Sequence, residues 1–383
     1  MRAIYLDHAA TTPLHPDVLE TMIPLLTEHF GNPSSLHGYG RKAKQALTDA
    51  RDVIASVLGC SSGQLFFTSG GTESDNTAII GVAEAMRERG KSHIITTSVE
   101  HHAVLEACHF LEQQGYRVTY LPVDEHGCIA LQALESSIEP DTALVSVMLA
   151  NNEVGTLQPI EQIGEICRAR GIYFHVDAVQ ALGAVPLNLS HLPVDLMSFS
   201  AHKVGGPKGV GLLYAARHIP LQPLHHGGSQ ERKKRPGTEN VAGIVGFAKA
   251  FSLLSMTLAN KQTRMELLRA RFLTSLTKQV GEDGFIVNGH PEQHIASIVN
   301  ISFLDIDKET MLMNLDLAGI AASGGSACTS GSLEDSHVLI AMGLTEAQIK
   351  SAIRFSFGST TTEQEVVETA EIIGTIMKRL RKT

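Results

Sequence analysis

From about residue 40 to residue 217 the chain alternates between helical and extended periodicity, and that alternation constrains its fold more than any other feature. Arg41 to Leu58 carries Ala46, Leu47, Ala50, Val53, Ile54 and Val57 at helical spacing. Gln64–Thr68 then reads as a short buried strand, Glu73–Arg89 as a helix and His93–Ser98 as a strand. Ala103–Gln113 is helical, Arg117–Pro122 extended, and Thr142–Leu149 an apolar run of strand length. A helix over Ile160–Arg170 and strands at Ile172–Asp177, Asp195–Ser200 and Gly209–Tyr214 complete the set. Strands and helices in this rhythm predict an α/β protein whose mostly parallel sheet is covered on both faces. Ligands of such sheets collect at the carboxyl ends of the strands.

The rhythm changes after Thr238. Asn240–Val280 is one long helical stretch, followed by an Ile298–Phe303 strand, a Lys308–Leu317 helix, a Gly/Ser-rich segment, an Ile353–Phe357 strand and an amphipathic Glu363–Leu380 helix. This shorter, separate set predicts a smaller α+β domain after about residue 257. We therefore expect a large domain over 13–257 and a small one over 258–383 together with 1–12.

Composition narrows the function. With 31 Lys and Arg against 40 Asp and Glu, the net charge of −9 argues against a nucleic-acid-coated surface, and 43% apolar residues argue against disorder as the dominant state. No stretch approaches the ~18 uninterrupted apolar residues of a membrane span, and the start lacks the apolar core of a secretory signal. Cys60, Cys108, Cys128, Cys167 and Cys328 are scattered, odd in number and free of C-x-x-C spacing. That argues against a disulfide framework and a structural zinc site, and it suits a reducing cytoplasm.

The candidate chemistry sits where predicted strands end. Gly70, Gly71 and Thr72 join a strand to a helix, where free N–H groups and a hydroxyl form either a phosphate cradle or a capped turn. Neither the P-loop pattern nor G-x-G-x-x-G is present. Asp177 ends an apolar strand with Gln180 three residues on; it reads as a helix cap or as a buried carboxylate serving a cationic ring nitrogen. Ser200-Ala-His-Lys203 ends the next strand, so Lys203 is a candidate amine nucleophile, with Lys208 in a Gly-rich turn as the alternative. Glu100-His-His102 follows another strand and lacks a matched zinc-ligand set. Arg354 reads by alternation as an outward charge, or else as a clamp on a carboxylate. Cys328 lies in Ala322–Ser332 (ASGGSACTSGS), too small and flexible a run to pack a core, whereas the other four cysteines read as buried small hydrophobes. The basic run Arg232–Arg235 reads as a solvated loop, and the one at Lys378–Lys382 as a helix end.

A phosphate cradle, an Asp, a Lys and a His on one sheet edge together suit pyridoxal phosphate. The motifs that carry these residues resemble, nearly end to end, the NifS/IscS-type cysteine desulfurases, class V aminotransferase-like enzymes of pyridoxal-phosphate fold type I. They are YLDHAATT (Tyr5–Thr12), GNPSS (Gly31–Ser35), TSGGTESDN (Thr68–Asn76), EHH (Glu100–His102) and NNEVGT (Asn151–Thr156). HVDAVQ (His175–Gln180), SAHK (Ser200–Lys203), RPGTEN (Arg235–Asn240), SACT (Ser326–Thr329) and IRFS (Ile353–Ser356) follow in order.

The resemblance implies that Lys203 holds the cofactor as a Schiff base, Asp177 pairs with the ring nitrogen, Gln180 meets the ring oxygen, and His101 stacks on the ring and shuttles protons. It implies that Gly71, Thr72, Ser200 and His202 hold the phosphate, with Thr238 reaching the phosphate of a second subunit in a homodimer. Asn152 and Arg354 would take the carboxylate of L-cysteine, and Cys328 would accept its sulfur as a persulfide, leaving L-alanine. The sulfur would pass to an iron–sulfur scaffold or a tRNA-thiolating enzyme. No stable metal site is implied, and Cys328 is at most a transient iron–sulfur ligand. The Gly/Ser-rich surroundings of Cys328 match the long-loop subgroup, and RPGTEN is the NifS-like variant of its motif. The competing readings are another pyridoxal-phosphate lyase or aminotransferase, such as a selenocysteine lyase, and a non-catalytic sulfur-transfer scaffold.

Overall fold

The computed structural model describes residues 3–325 and 335–380. The alternating region forms β2 (Leu65–Thr68), α3 (Gly71–Arg87), β3 (His93–Thr97), α4 (His102–Gln113), β4 (Arg117–Leu121), α5 (Leu131–Ser137), β5 (Thr142–Met148), α6 (Ile160–Arg170), β6 (Tyr173–Asp177), β7 (Leu196–Ser200) and β8 (Gly211–Ala215). Ahead of it lie β1 (Ile4–Tyr5), α1 (Pro16–Thr27) and α2 (Gly38–Leu58). After it come α7 (Val241–Val280), β9 (Ile286–Asn288), β10 (Ile298–Ser302), α8 (Lys308–Leu317), β11 (Ile320–Ala321), α9 (His337–Ala341), α10 (Glu346–Lys350), β12 (Ala352–Ser356) and α11 (Glu363–Leu380).

Seven strands form one sheet in the order β2-β8-β7-β6-β5-β3-β4, with β8 antiparallel to both its neighbours and every other pairing parallel. Strands β3, β5, β7 and β8 are buried at every position, as expected where helices cover both faces. Helix α2 packs on this core through Leu47, Ala50, Ile54, Ala55 and Leu58, and ends where Gly59 takes a left-handed φ of 68°. Because β2, β3, β5, β6 and β7 run the same way, the loops leaving their carboxyl ends open along one edge of the sheet.

A second core surrounds the antiparallel sheet β12-β10-β9 and includes Ile301, Phe355, Phe272 and Ile373. Helix α7 serves both cores: Ile244, Phe247 and Phe251 belong to the first, Met265, Leu268, Phe272 and Leu276 to the second. Among the described residues, α7 alone is long and apolar enough to cross a membrane. Its apolar first half is taken up in the protein core.

Residues 5–12 run as a strap between the two cores. Strand β1 pairs with β11, Ser356 N donates to Leu6 O at 2.7 Å, Ala9 N donates to Ser356 Oγ at 2.8 Å, and Thr12 N donates to His202 O at 2.9 Å.

Candidate active site

The parallel edge of the sheet and the strap enclose a cavity of about 290 Å³. It is lined by Ala9 and Ala10 of the strap, Gly71 and Thr72 after β2, His101 after β3, Asn152 after β5, Asp177 and Gln180 after β6, and Ser200, His202 and Lys203 after β7. Arg354 reaches it from β12.

At one end lies the start of α3. Its cap residue Gly70 contributes no side chain, so the first-turn N–H groups that a helix leaves without internal partners are not covered by a capping oxygen. Gly71 is demanded by space: a Cβ there would come within 2.7 Å of Val179 Cγ2. Thr72, Ser200 and His202 add polar groups beside these N–H groups. His202 shares a hydrogen bond with Thr11 Oγ1 at 3.1 Å, and burial, aided by the charges of Lys203 and Lys208, pushes its pKa down to about 4.

Asp177 is buried, and its Oδ1 accepts from Val179 N at 2.8 Å. Burial pushes the carboxyl up to about 6, against the opposing pull of that hydrogen bond and of Lys203. A carboxylate so placed gains from any cation brought to it. Lys203 leaves β7 through a short turn, Ala201–Lys203, and its Nζ donates to Ala9 O and Ala10 O, the latter at 3.1 Å. Gln180 Nε2 donates to the same Ala9 O at 2.8 Å. His101 caps α4 by accepting from Ala103 N at Nδ1, 3.1 Å away. Its burial, with Lys203 nearby, pushes it down to about 4 and keeps it neutral.

Arg354 departs from the outward-facing reading of its strand. It is 1% exposed, because β12 is buried along its whole length. Its guanidinium donates to Asp7 Oδ1 at 2.8 Å and to Asn152 O at 2.9 Å, while its buried Nε has no partner. Lys208 is exposed and lines no part of this cavity. Thr238 lies elsewhere, in a second cavity with Thr68, Ser69 and Arg235. Cys328 and the Ser326–Thr329 motif lie outside the described residues.

Other expectations are corrected. Cys108 and Cys167 are buried, but Cys60 and Cys128 are only half-buried. The Arg232–Arg235 run is exposed at Arg232 and Lys233, as a solvated loop would be, yet two of its cations are anchored. Arg232 stacks on Phe66 at 4.5 Å, and Arg235 Nε donates to Glu73 Oε1 at 2.8 Å. Two site residues went unremarked in the sequence, Asp7 and Asp75, although both stand inside the quoted motifs Tyr5–Thr12 and Thr68–Asn76. A carboxylate that neighbours an apolar or glycine run in a strand-end motif was the available signal.

These residues fit pyridoxal phosphate. An uncapped helix start with hydroxyl and imidazole neighbours suits its phosphate, and a buried carboxyl short of positive charge suits its ring nitrogen. The lysine amine in the same cavity suits its aldehyde, and the buried Arg354 Nε, without a partner among the described residues, suits a substrate carboxylate.

The fold and cavity define a class, the fold type I enzymes dependent on pyridoxal phosphate. The family model for class-V aminotransferases matches residues 4–368, and the chain belongs to that family. It is 48% identical over 380 residues to a protein of Methanosarcina thermophila named cysteine desulfurase IscS, covering 99% of this chain and 93% of that protein. A cysteine desulfurase IscS of Dictyoglomus turgidum is 47% identical over 380 residues, covering 99% and 96%. Among solved structures, a NifS-like protein superposes with a TM-score of 0.93 at 40% identity, covering 99% of this chain and 100% of that one. A NifS-like protein from Rickettsia africae does so at 0.86 and 30%, covering 100% of both.

Proposed function

We propose that this protein is a pyridoxal-phosphate-dependent cysteine desulfurase, which takes the sulfur of L-cysteine, releases L-alanine and passes the sulfur to an acceptor protein. The observation that carries this reading is the convergence of the α3 start, Asp177, His101 and Lys203 on one cavity, in a chain whose full-length relatives bear that name.

Bound there, pyridoxal phosphate supplies an electron sink that makes the substrate's α-proton removable. Lys203 would hold the cofactor through its Nζ and would take up that proton. Asp177 would keep the ring nitrogen protonated, and Gln180 would hold the ring oxygen. His101, kept neutral by burial, would relay protons. Gly71, Thr72, Ser200 and His202 hold the phosphate. Arg354 and Asn152 take the substrate carboxylate, with Arg354 aimed by Asp7. Cys328 is the sulfur acceptor: its Sγ bonds to the substrate sulfur as the bond to the β-carbon breaks. Thiol plus L-cysteine thus become persulfide plus alanine.

The protein acts as a homodimer. Leu19, Ile23, Leu26, Phe30, Leu36 and Tyr39 leave apolar side chains exposed on α1, the segment after it and the start of α2, which a second copy would cover. Thr238 stands apart from Lys203 within one chain, so its phosphate contact is made across that interface. The chain divides into domains at 257/258, with residues 1–12 joining the smaller one. Cytoplasmic residence suits the unpaired Cys60, Cys108, Cys128 and Cys167. The sulfur goes to iron–sulfur cluster assembly or tRNA thiolation, and Cys328 is a transient cluster ligand in the first case.

The test is alanine release from L-cysteine together with persulfide labelling. A holoenzyme that turns over L-cysteine without needing Cys328 would instead be an aminotransferase or another lyase. A chain that binds no pyridoxal phosphate would be a scaffold. Radiolabelled sulfur traced from Cys328 identifies the acceptor.

A further inference from the structure

Asp75 stands on the second turn of α3, 1% exposed, and lines the same cavity as Asp177. Its Oδ1 has no hydrogen-bond partner, although it is buried. His175 and Asp177 are two residues apart on β6, so both project from one face of the sheet. His175 Nε2 lies 3.6 Å from Asp75 Oδ1, on the α3 side. The ring of His175 is fully taken up by hydroxyls: Nδ1 is 2.8 Å from Ser146 Oγ and Nε2 is 2.9 Å from Ser198 Oγ. Complete burial pushes it down to about 3, so it offers Asp75 no positive charge.

Glu100 completes the cluster. It is fully buried, accepts from Thr97 Oγ1 at 2.7 Å and Met148 N at 3.0 Å through Oε1, and leaves Oε2 without a partner. The charges acting on Asp75 are those of Asp177 and Glu100, both carboxyls, whereas Asp177 also feels Lys203. Three carboxyls thus share a low-dielectric layer with one lysine. Ionising all three would bury more negative charge than one lysine answers, which proteins avoid by keeping protons on the carboxyls that lack a cation.

We propose that Asp75 is a positioning residue kept as a neutral carboxylic acid beneath Asp177, so that the single negative charge of this cluster resides on Asp177, where the cofactor's ring nitrogen would meet it. The idea rests on the pyridoxal-phosphate reading only for its consequence; the proton on Asp75 belongs to the chain alone. Burial and the neighbouring Asp177 raise the Asp75 carboxyl well above the ordinary carboxylate range, against the opposing hydrogen bond of the Ser198 hydroxyl. A buried acid held neutral at pH 7 by an apolar site is an established way to keep a carboxyl as a donor.

The experiment is infrared spectroscopy of the full-length protein labelled with ¹³C-aspartate, with and without pyridoxal phosphate, between about pH 7 and 8. The expected result is a protonated carboxyl band that shifts with the label, persists in Asp177→Asn and disappears in Asp75→Asn. Asp75→Asn, which keeps shape and neutrality, should bind pyridoxal phosphate within about threefold of the parent and keep the pH profile of its visible absorbance, whereas Asp75→Ala should bind it about tenfold more weakly. Absence of a label-sensitive acid band in the parent protein overturns the proposal, even if no variant folds. So does an Asp75→Asn protein that binds the cofactor about tenfold more weakly, because charge rather than shape would then be what Asp75 supplies. Failure of the parent protein to bind pyridoxal phosphate at all would sink the proposed function instead, leaving the infrared result to be judged by itself.

Discussion

Lys203 and Arg354 line one cavity and are held in opposite ways. Lys203 stands at the end of a parallel strand, with its amine resting on the carbonyls of Ala9 and Ala10. Arg354 is sealed in the middle of an antiparallel strand, with its charge answered by Asp7 and its second arm fixed on Asn152 O. Carbonyl contacts are weak enough to release an amine that must bond and unbond during turnover. A buried ion pair is costly to break from either side and suits a fixed anchor. Both depend on the same strap, whose residues 7–12 contact Arg354, Gln180, Lys203 and His202 in turn.

The strongest way to break this contrast is Lys203→Ala. Turnover and the visible absorbance of the lysine-bound cofactor should both vanish while circular dichroism stays native, because no buried packing is lost. Lys208→Ala, which alters an exposed side chain, should leave both intact. A chromophore lost with Lys208 instead would reassign the nucleophile. Cys328→Ala separates the sulfur step from the rest. Its neighbours in sequence are Gly, Ser, Ala and Thr, so stability should change by no more than ~0.5 kcal/mol and cofactor binding should persist. L-cysteine should still alter the absorption spectrum, yet alanine release and persulfide labelling should be lost. Normal alanine release would rule out the thiol mechanism.

A smaller effect is expected at Asp7. Asp7→Asn removes the countercharge of Arg354 but leaves Lys203 its carbonyls. The KM for L-cysteine should rise about tenfold, with the Lys203 chromophore unchanged and the melting temperature lowered. A weakened chromophore with an unaltered KM would show that the strap acts on the lysine side.

The sheet edge was legible in the sequence because its strands obey one rule. Runs such as Thr142–Met148 are buried throughout and stay recognisable as continuous apolar segments. Arg354 reads from its strand alone either as an outward charge or as a clamp, because β12 is covered on both faces and alternation does not report which side meets water. Helix α1 was passed over: Val18 is its buried residue, while Leu19, Ile23 and Leu26 are exposed and blur the periodicity. The backbone at Arg232 places three successive residues, Glu231, Arg232 and Lys233, at positive φ, which no composition signals. Partners such as Asp7 for Arg354 are joined across 347 positions of sequence, and only folding brings them together.

The least intrusive test concerns Glu100, which touches neither anchor directly. Its carboxyl, fully buried with one oxygen unpartnered, is pushed from 4.5 up to about 8. A group with a raised folded pKa binds its proton in the native state while the unfolded chain has already lost it. Stability from this site is therefore complete below about pH 4.5 and declines as pH rises towards 8. Glu100→Gln keeps an acceptor for Thr97 Oγ1 and Met148 N without a titrating proton. Denaturant midpoints measured across that window should fall less steeply in Glu100→Gln than in the parent, with the gap between them shifting in favour of the variant as pH rises. Parallel curves would mean that Glu100 is ionised in the folded protein. The carboxyl layer behind Asp177 would then carry more charge than the fixed side of the cavity, with its single Asp7–Arg354 pair, has to manage.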